Sequence, residues 1–97
     1  MNQDTTARRL EQLLGRTPGT LAIPSKIALT AIRESMKKRL AGAQLSPDCE
    51  ALLKTYTTML NRANNAVSGG GQPGTFLRIW SNFITAAIAL AECLGRL

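Results

Sequence analysis

The stretch TFLRIWSNFITAAIALAECL, residues 75–94, decides the reading of this chain. It is a helix-length segment that is apolar around most of its circumference. Phe76, Leu77, Ile79, Trp80, Phe83, Ile84, Ile88, Leu90 and Leu94 leave one thin polar line through Arg78, Ser81, Asn82, Thr85 and Glu92. A surface helix needs an apolar stripe only roughly 100° wide. With 97 residues in all, the chain has few other elements to cover the surplus. Self-association is therefore expected, or docking on a protein partner, with Phe76, Ile79, Trp80, Phe83 and Ile84 at the seam. A membrane span is not favoured: the charge-free run Ile79 to Ala91 is 13 residues, against about 20 needed, and it contains Ser81, Asn82 and Thr85.

Working outward, the remaining sequence also reads as helix, with no strand of convincing alternation. A short N-terminal helix over about 4–15 carries Ala7, Leu10, Leu13 and Leu14 on one side and ends at Gly15, a residue suited to a left-handed cap. Thr17-Pro18-Gly19-Thr20 has turn chemistry, and Leu21-Ala22-Ile23-Pro24 is a short extended link. Ser25 caps a second helix, 25–43, whose core stripe is Leu29, Ile32, Met36 and Leu40. Ser46-Pro47 starts a third, 47–67, with Asp48 and Glu50 at the positive end of its dipole. Ser68 to Gly74 reads as a flexible glycine-rich connector, and Thr75 as the cap of the last helix. The fold class is thus all-α: a small single-domain bundle, 1–97, built on an antiparallel helical hairpin (25–43, 47–67), flanked by the short N-terminal helix and the hydrophobic C-terminal helix 75–94, and expected to be homo-oligomeric.

Twelve Lys/Arg against six Asp/Glu give a net charge of +6. Lys26, Arg33, Lys37, Lys38 and Arg39 fall within fourteen positions, opposed only by Glu34. Such a local excess favours a phosphate, a nucleic acid or an acidic protein surface. The two cysteines, Cys49 and Cys93, have no histidine to activate them, since the chain contains none. Asp4, Arg8, Arg9 and Glu11 interrupt any apolar run that would make a signal peptide. The expectation is a cytoplasmic protein with two buried free thiols, in a host cytoplasm if a phage encodes it.

The same residues exclude most chemistry. Without histidine there is no ordinary acid–base group for neutral pH, the carboxylates are scattered rather than paired, and no cluster has metal-ligand spacing. Gly69-Gly70-Gly71 is not a phosphate loop, because no lysine follows and no strand precedes. No enzyme activity, metal or cofactor is expected. A binding site is expected on the basic face of the second helix. Lys26, Thr30, Arg33 and Lys37 recur there at helical spacing, with Lys26 in a first turn whose free N–H groups attract anions. Arg62 and Asn65 of the third helix, with Asn61 and Asn64, could add cation and amide contacts. Tyr56 and Trp80 could stack, although both lie on apolar lines. Helix-turn-helix binding of duplex DNA is disfavoured, since the would-be recognition helix opens with Pro47, Asp48 and Glu50 and its carboxylates repel phosphate.

The segment Ile27 to Val67 contains Ala31-Ile32-Arg33-Glu34, the helix restart Ser46-Pro47-Asp48-Cys49-Glu50 and the ending Arg62-Ala63-Asn64-Asn65-Ala66-Val67. In these it resembles the short helical hairpin of phage anti-CBASS proteins, small homo-oligomeric sponges that sequester cyclic nucleotides and silence a bacterial immune signal. The resemblance implies a multi-helix oligomer with ligand pockets at subunit interfaces and no hydrolysis, with Lys26 matching the basic residue at the hairpin start. The aromatic residue that the family places before its hairpin has no counterpart ahead of Tyr56. The expected function is sequestration of an anionic nucleotide messenger, a cyclic nucleotide or other phosphorylated small ligand. The alternatives are a helical inhibitor or adaptor docking on an acidic protein partner, and a nucleic-acid-binding protein.

Overall fold

The computed structural model describes residues 3–69 and 73–95. Their secondary structure is four α-helices: α1 (Gln3–Leu14), α2 (Lys26–Leu40), α3 (Pro47–Val67) and α4 (Pro73–Leu94). The boundaries follow from local chemistry. Ser25 caps α2 by accepting the Ala28 N–H on its hydroxyl at 3.1 Å, and Ser46 caps α3 by accepting from Cys49 at 3.2 Å. Each side-chain oxygen satisfies one of the donors that a helix start leaves free. Gly15 ends α1 with φ +70°, the left-handed conformation that costs glycine nothing. α2 stops at Leu40 rather than continuing to residue 43, and Gly42 turns the chain with φ +75°.

The connector expected at 68–74 is shorter than its composition implies. Residues 70–72 lie outside the described residues, while Pro73 and Gly74 already belong to α4. Proline suits a first helical position, where its missing N–H would have had no partner. Thr75 is accordingly inside the helix and not its cap.

α4 is the axis of the fold, and its main partner is α3. The two run antiparallel: Cys49 at the start of α3 is joined to Cys93 near the end of α4, and Tyr56 meets Phe83 at a ring-centroid distance of 5.8 Å. α1 lies along another side of α4, where Arg9 pairs with Glu92. The tightly packed hairpin is therefore α3–α4. α2 and α3, expected as that hairpin, pack far less closely and leave an open groove between them.

This arrangement overturns the expectation of surplus apolar surface on the last helix. Trp80, Phe83 and Ile84 are buried within a single chain, as are Ala87 and Leu90. Phe76 and Ile79 are half-buried. The reason is geometric: α1, α2 and α3 all face α4, so its nearly continuous apolar circumference matches three neighbours rather than one. Gly74–Leu94 is long and apolar enough to cross a membrane by length and composition. A helix at the centre of a small bundle needs the same composition. Among the described residues, the large hydrophobic side chains left exposed are Ile23, Ile27 and Leu77, none of which had been placed at the seam.

The cysteines are not free. Cys49 and Cys93 form a disulfide with a Cα–Cα distance of 5.8 Å, 44 residues apart in sequence. The reading of two separate thiols fails because antiparallel α3 and α4 bring the start of one beside the end of the other. The expectation of free thiols is thereby corrected, and a disulfide is more usual outside a reducing compartment.

Candidate functional site

The groove between α2 and α3 is where the basic face of α2 meets a cavity. Arg33, Glu34, Met36, Lys37, Leu40 and Ala41 line one wall, and Leu53, Tyr56, Thr57 and Leu60 the other. Its volume is about 520 Å³, within the range of roughly 300–1,000 Å³ typical of ligand clefts. Helical periodicity builds the two-sided character. On α2, Met36 and Leu40 are four residues apart and supply apolar wall, while Arg33 and Lys37, also four apart, stay exposed at the rim. On α3, Leu53, Tyr56 and Leu60 fall on one face, and Thr57 sits beside them with its hydroxyl donating to the Leu53 carbonyl at 2.9 Å.

Tyr56 ties the two walls together. It is 4% exposed, and burial pushes its phenol up to about 12, with the Arg33 guanidinium pulling in the opposite direction. That influence places a full positive charge close enough to the phenol to favour a negative one. The groove thus offers two cations, a phenol and a threonine side chain over a mostly apolar wall. One carboxylate, Glu34, stands among them. Such an arrangement has the chemistry to hold an anionic group at Arg33 and Lys37 and an apolar or flat body against Leu53, Tyr56 and Leu60.

The structure brings together part of the expected site. Arg33 and Lys37 share the groove. Lys26 and Thr30 are exposed on the first two turns of α2 and line no part of it, and Arg62 and Asn65 are exposed on α3 beyond Leu60. Sequence reasoning missed Thr57 as a groove residue and weighed Tyr56 only as able to stack, without placing it in a groove. Tyr56 had been read as core, which its burial bears out, but it also forms a groove wall. The available signal was the period: Tyr56 lies on the Leu52–Tyr56–Met59 line that faces α4, at the edge of that line adjoining Leu53 and Leu60.

No family model matches the chain, and no curated protein or solved structure matches it. The resemblance to anti-CBASS hairpins is neither supported nor opposed by these comparisons.

Proposed function

We propose that this chain is a non-enzymatic binding protein that holds a phosphorylated ligand with an apolar or flat body in the α2/α3 groove. A nucleotide messenger is the ligand class that would use every part of that groove. The observation that carries the reading is the placement of Arg33 and Lys37 at the rim of a cavity walled by Leu53, Tyr56 and Leu60. The residues that line the groove all come from one chain. A binder without turnover acts by withdrawing its ligand, which is the role a messenger-sequestering phage or mobile-element protein needs. Neither the phenol, whose proton is held up to about pH 12, nor the disulfide-bonded cysteines provide a base or nucleophile at neutral pH.

Isothermal titration against a panel of linear, cyclic di- and cyclic trinucleotides tests the proposal. Binding by at least one member is expected, weakened by about 1.5–3 kcal/mol in Arg33→Gln or Lys37→Gln, the usual worth of a hydrogen bond to a charged group. No heat across the whole panel would reject the nucleotide reading.

The disulfide favours a second reading. Such bonds persist outside the reducing cytoplasm, where an intracellular messenger is not met. There the same groove would take an acidic segment of a protein partner, making the chain an inhibitor or adaptor. Alkylation of intact cells separates the two: Cys49 and Cys93 trapped as free thiols would return the weight to a cytoplasmic messenger.

A further inference from the structure

A second cationic depression lies on the opposite flank of α2, away from the α3 groove. It is lined by Leu14, Gly15 and Arg16 at the end of α1 and by Ser35, Lys38 and Arg39 of α2, with a volume of about 460 Å³. No carboxylate lines it. Glu34, the acidic residue of α2, belongs to the other groove.

Its two guanidinium groups face neutral partners, Arg39 at close range and Arg16 more loosely. Arg39 donates to the Leu13 carbonyl at 2.8 Å. Arg16 reaches the Ser35 hydroxyl at 3.4 Å and the Ala31 carbonyl at 3.5 Å. Each arginine uses one terminal nitrogen in this way and keeps its other donors, since a guanidinium carries five. Lys38 has no hydrogen-bond or ion-pair partner among the described residues. Gly15 turns the chain at φ +70° with nothing within 4 Å of where a Cβ would lie, so the approach is open.

Charge bookkeeping decides between capping and binding. The ends of α1 and α2 together present about one negative charge, roughly half from each helix dipole. Three full cations exceed that by about two, and by about one when Glu34, one turn before Lys38 on α2, is counted. A group needed only to cap α1 would not include Lys38, which touches no carbonyl.

We infer that this notch is a second anion site, for a phosphate group, distinct from the α2/α3 groove and independent of what that groove binds. Arg16 and Arg39 provide preoriented donors, and Lys38 provides a mobile charge that closes on the ligand. Two sources could deliver the phosphate, a free polyphosphate or the phosphodiester backbone of a nucleic acid.

The test is a titration of the full-length protein with tripolyphosphate at about 0.15 M salt, followed by amide and arginine side-chain NMR signals. Saturable shifts centred on Gly15, Arg16, Ser35 and Arg39 are expected. Lys38→Gln, which removes a cation with no hydrogen-bond or ion-pair partner among the described residues, should weaken them about tenfold, while Arg33→Gln and Lys37→Gln leave them in place. A parallel titration with a single-stranded oligonucleotide assigns the source, since displacement of tripolyphosphate from the same signals identifies a phosphodiester ligand. Shifts spread evenly over all basic residues, or equal affinity in Lys38→Gln, would overturn the proposal.

Discussion

The carboxylate of Glu11 accepts the backbone N–H of Leu21 at 2.7 Å, fixing the link between α1 and α2 from inside the protein. The Leu21 carbonyl in turn accepts the Trp80 indole N–H at 3.2 Å. One peptide segment is thereby held on its two sides, by α1 and by α4, and Leu21 itself is fully buried. The polar atoms of this buried link need partners because each unpaired one costs about 1–3 kcal/mol. The position of α2, and with it both cationic depressions, depends on this latch.

Glu11→Ala should therefore destabilise the protein by about 1.5–3 kcal/mol, since it leaves the Leu21 N–H buried without an acceptor. Trp80→Phe loses the indole donor and part of a ring buried in the core, so about 2–3 kcal/mol is expected. Chemical denaturation of the two variants measures both. A cost for Glu11→Ala below that of an ordinary surface substitution would show that the latch is not closed in solution.

The Cys49–Cys93 bridge closes a long loop and confines the unfolded chain. Its removal in Cys49→Ser/Cys93→Ser, or by reductant, should lower stability by about 2–4 kcal/mol. At about 4–8 °C per kcal/mol for a domain of this size, the melting temperature should fall by about 10 °C or more. An unchanged melting curve in reductant would mean that the bridge does not form. Loss of any groove-ligand binding along with stability would tie the groove to the clamp, which sits about one turn before Leu53 on α3.

The interface once expected on α4 gives a third prediction. Phe83 is fully buried against Trp80 and Tyr56, so Phe83→Ala should cost about 3–5 kcal/mol through the cavity it leaves. Ile27, 84% exposed, should tolerate Ile27→Ser within about 0.5 kcal/mol. Thermal melts of both variants check the pair. Near-equal, small effects would mean that α4 is not the core helix described here and would return Phe83 to a surface role.

How much of this was legible in the sequence differs by element. The Ser25 and Ser46 caps and the Gly15 stop depend on a few adjacent residues, and each formed as its local chemistry required. The apolar circumference of α4 was equally visible, but its meaning was not. A helix surrounded by three others and a helix that seeks copies of itself have the same pattern, and only the tertiary arrangement separates them. The pairing of α3 with α4 was missed for a related reason, because a short connection between α2 and α3 favours neighbours without forcing close packing. The cysteine pairing depended on that arrangement and could not precede it. At the site, Arg33 and Lys37 were legible from charge and period. Lys26 and Arg62 satisfied the same pattern yet lie outside the groove, since helical spacing fixes a face but not the depth to which a second helix covers it. Arg16 joins Lys38 and Arg39 only because the turn at Gly15 folds back onto α2.

The single tyrosine of the chain offers a spectroscopic test of the α2/α3 groove. Burial raises the Tyr56 phenol to about 12, against the opposing influence of Arg33, so phenolate absorbance should rise with a midpoint near 12 rather than near the ordinary value of about 10. The folded chain then holds a proton that the unfolded chain has released. This contribution to stability is whole below about pH 10 and is lost as pH rises toward 12, which a series of melts across that window would record. An anion bound at Arg33 cancels the influence that lowers the phenol, and a ligand in the groove should move the midpoint higher still. Arg33→Gln should raise the midpoint without ligand and abolish the further shift. A midpoint near 10 would mean that Tyr56 faces solvent, and a ligand that binds without moving the midpoint would be seated away from Arg33.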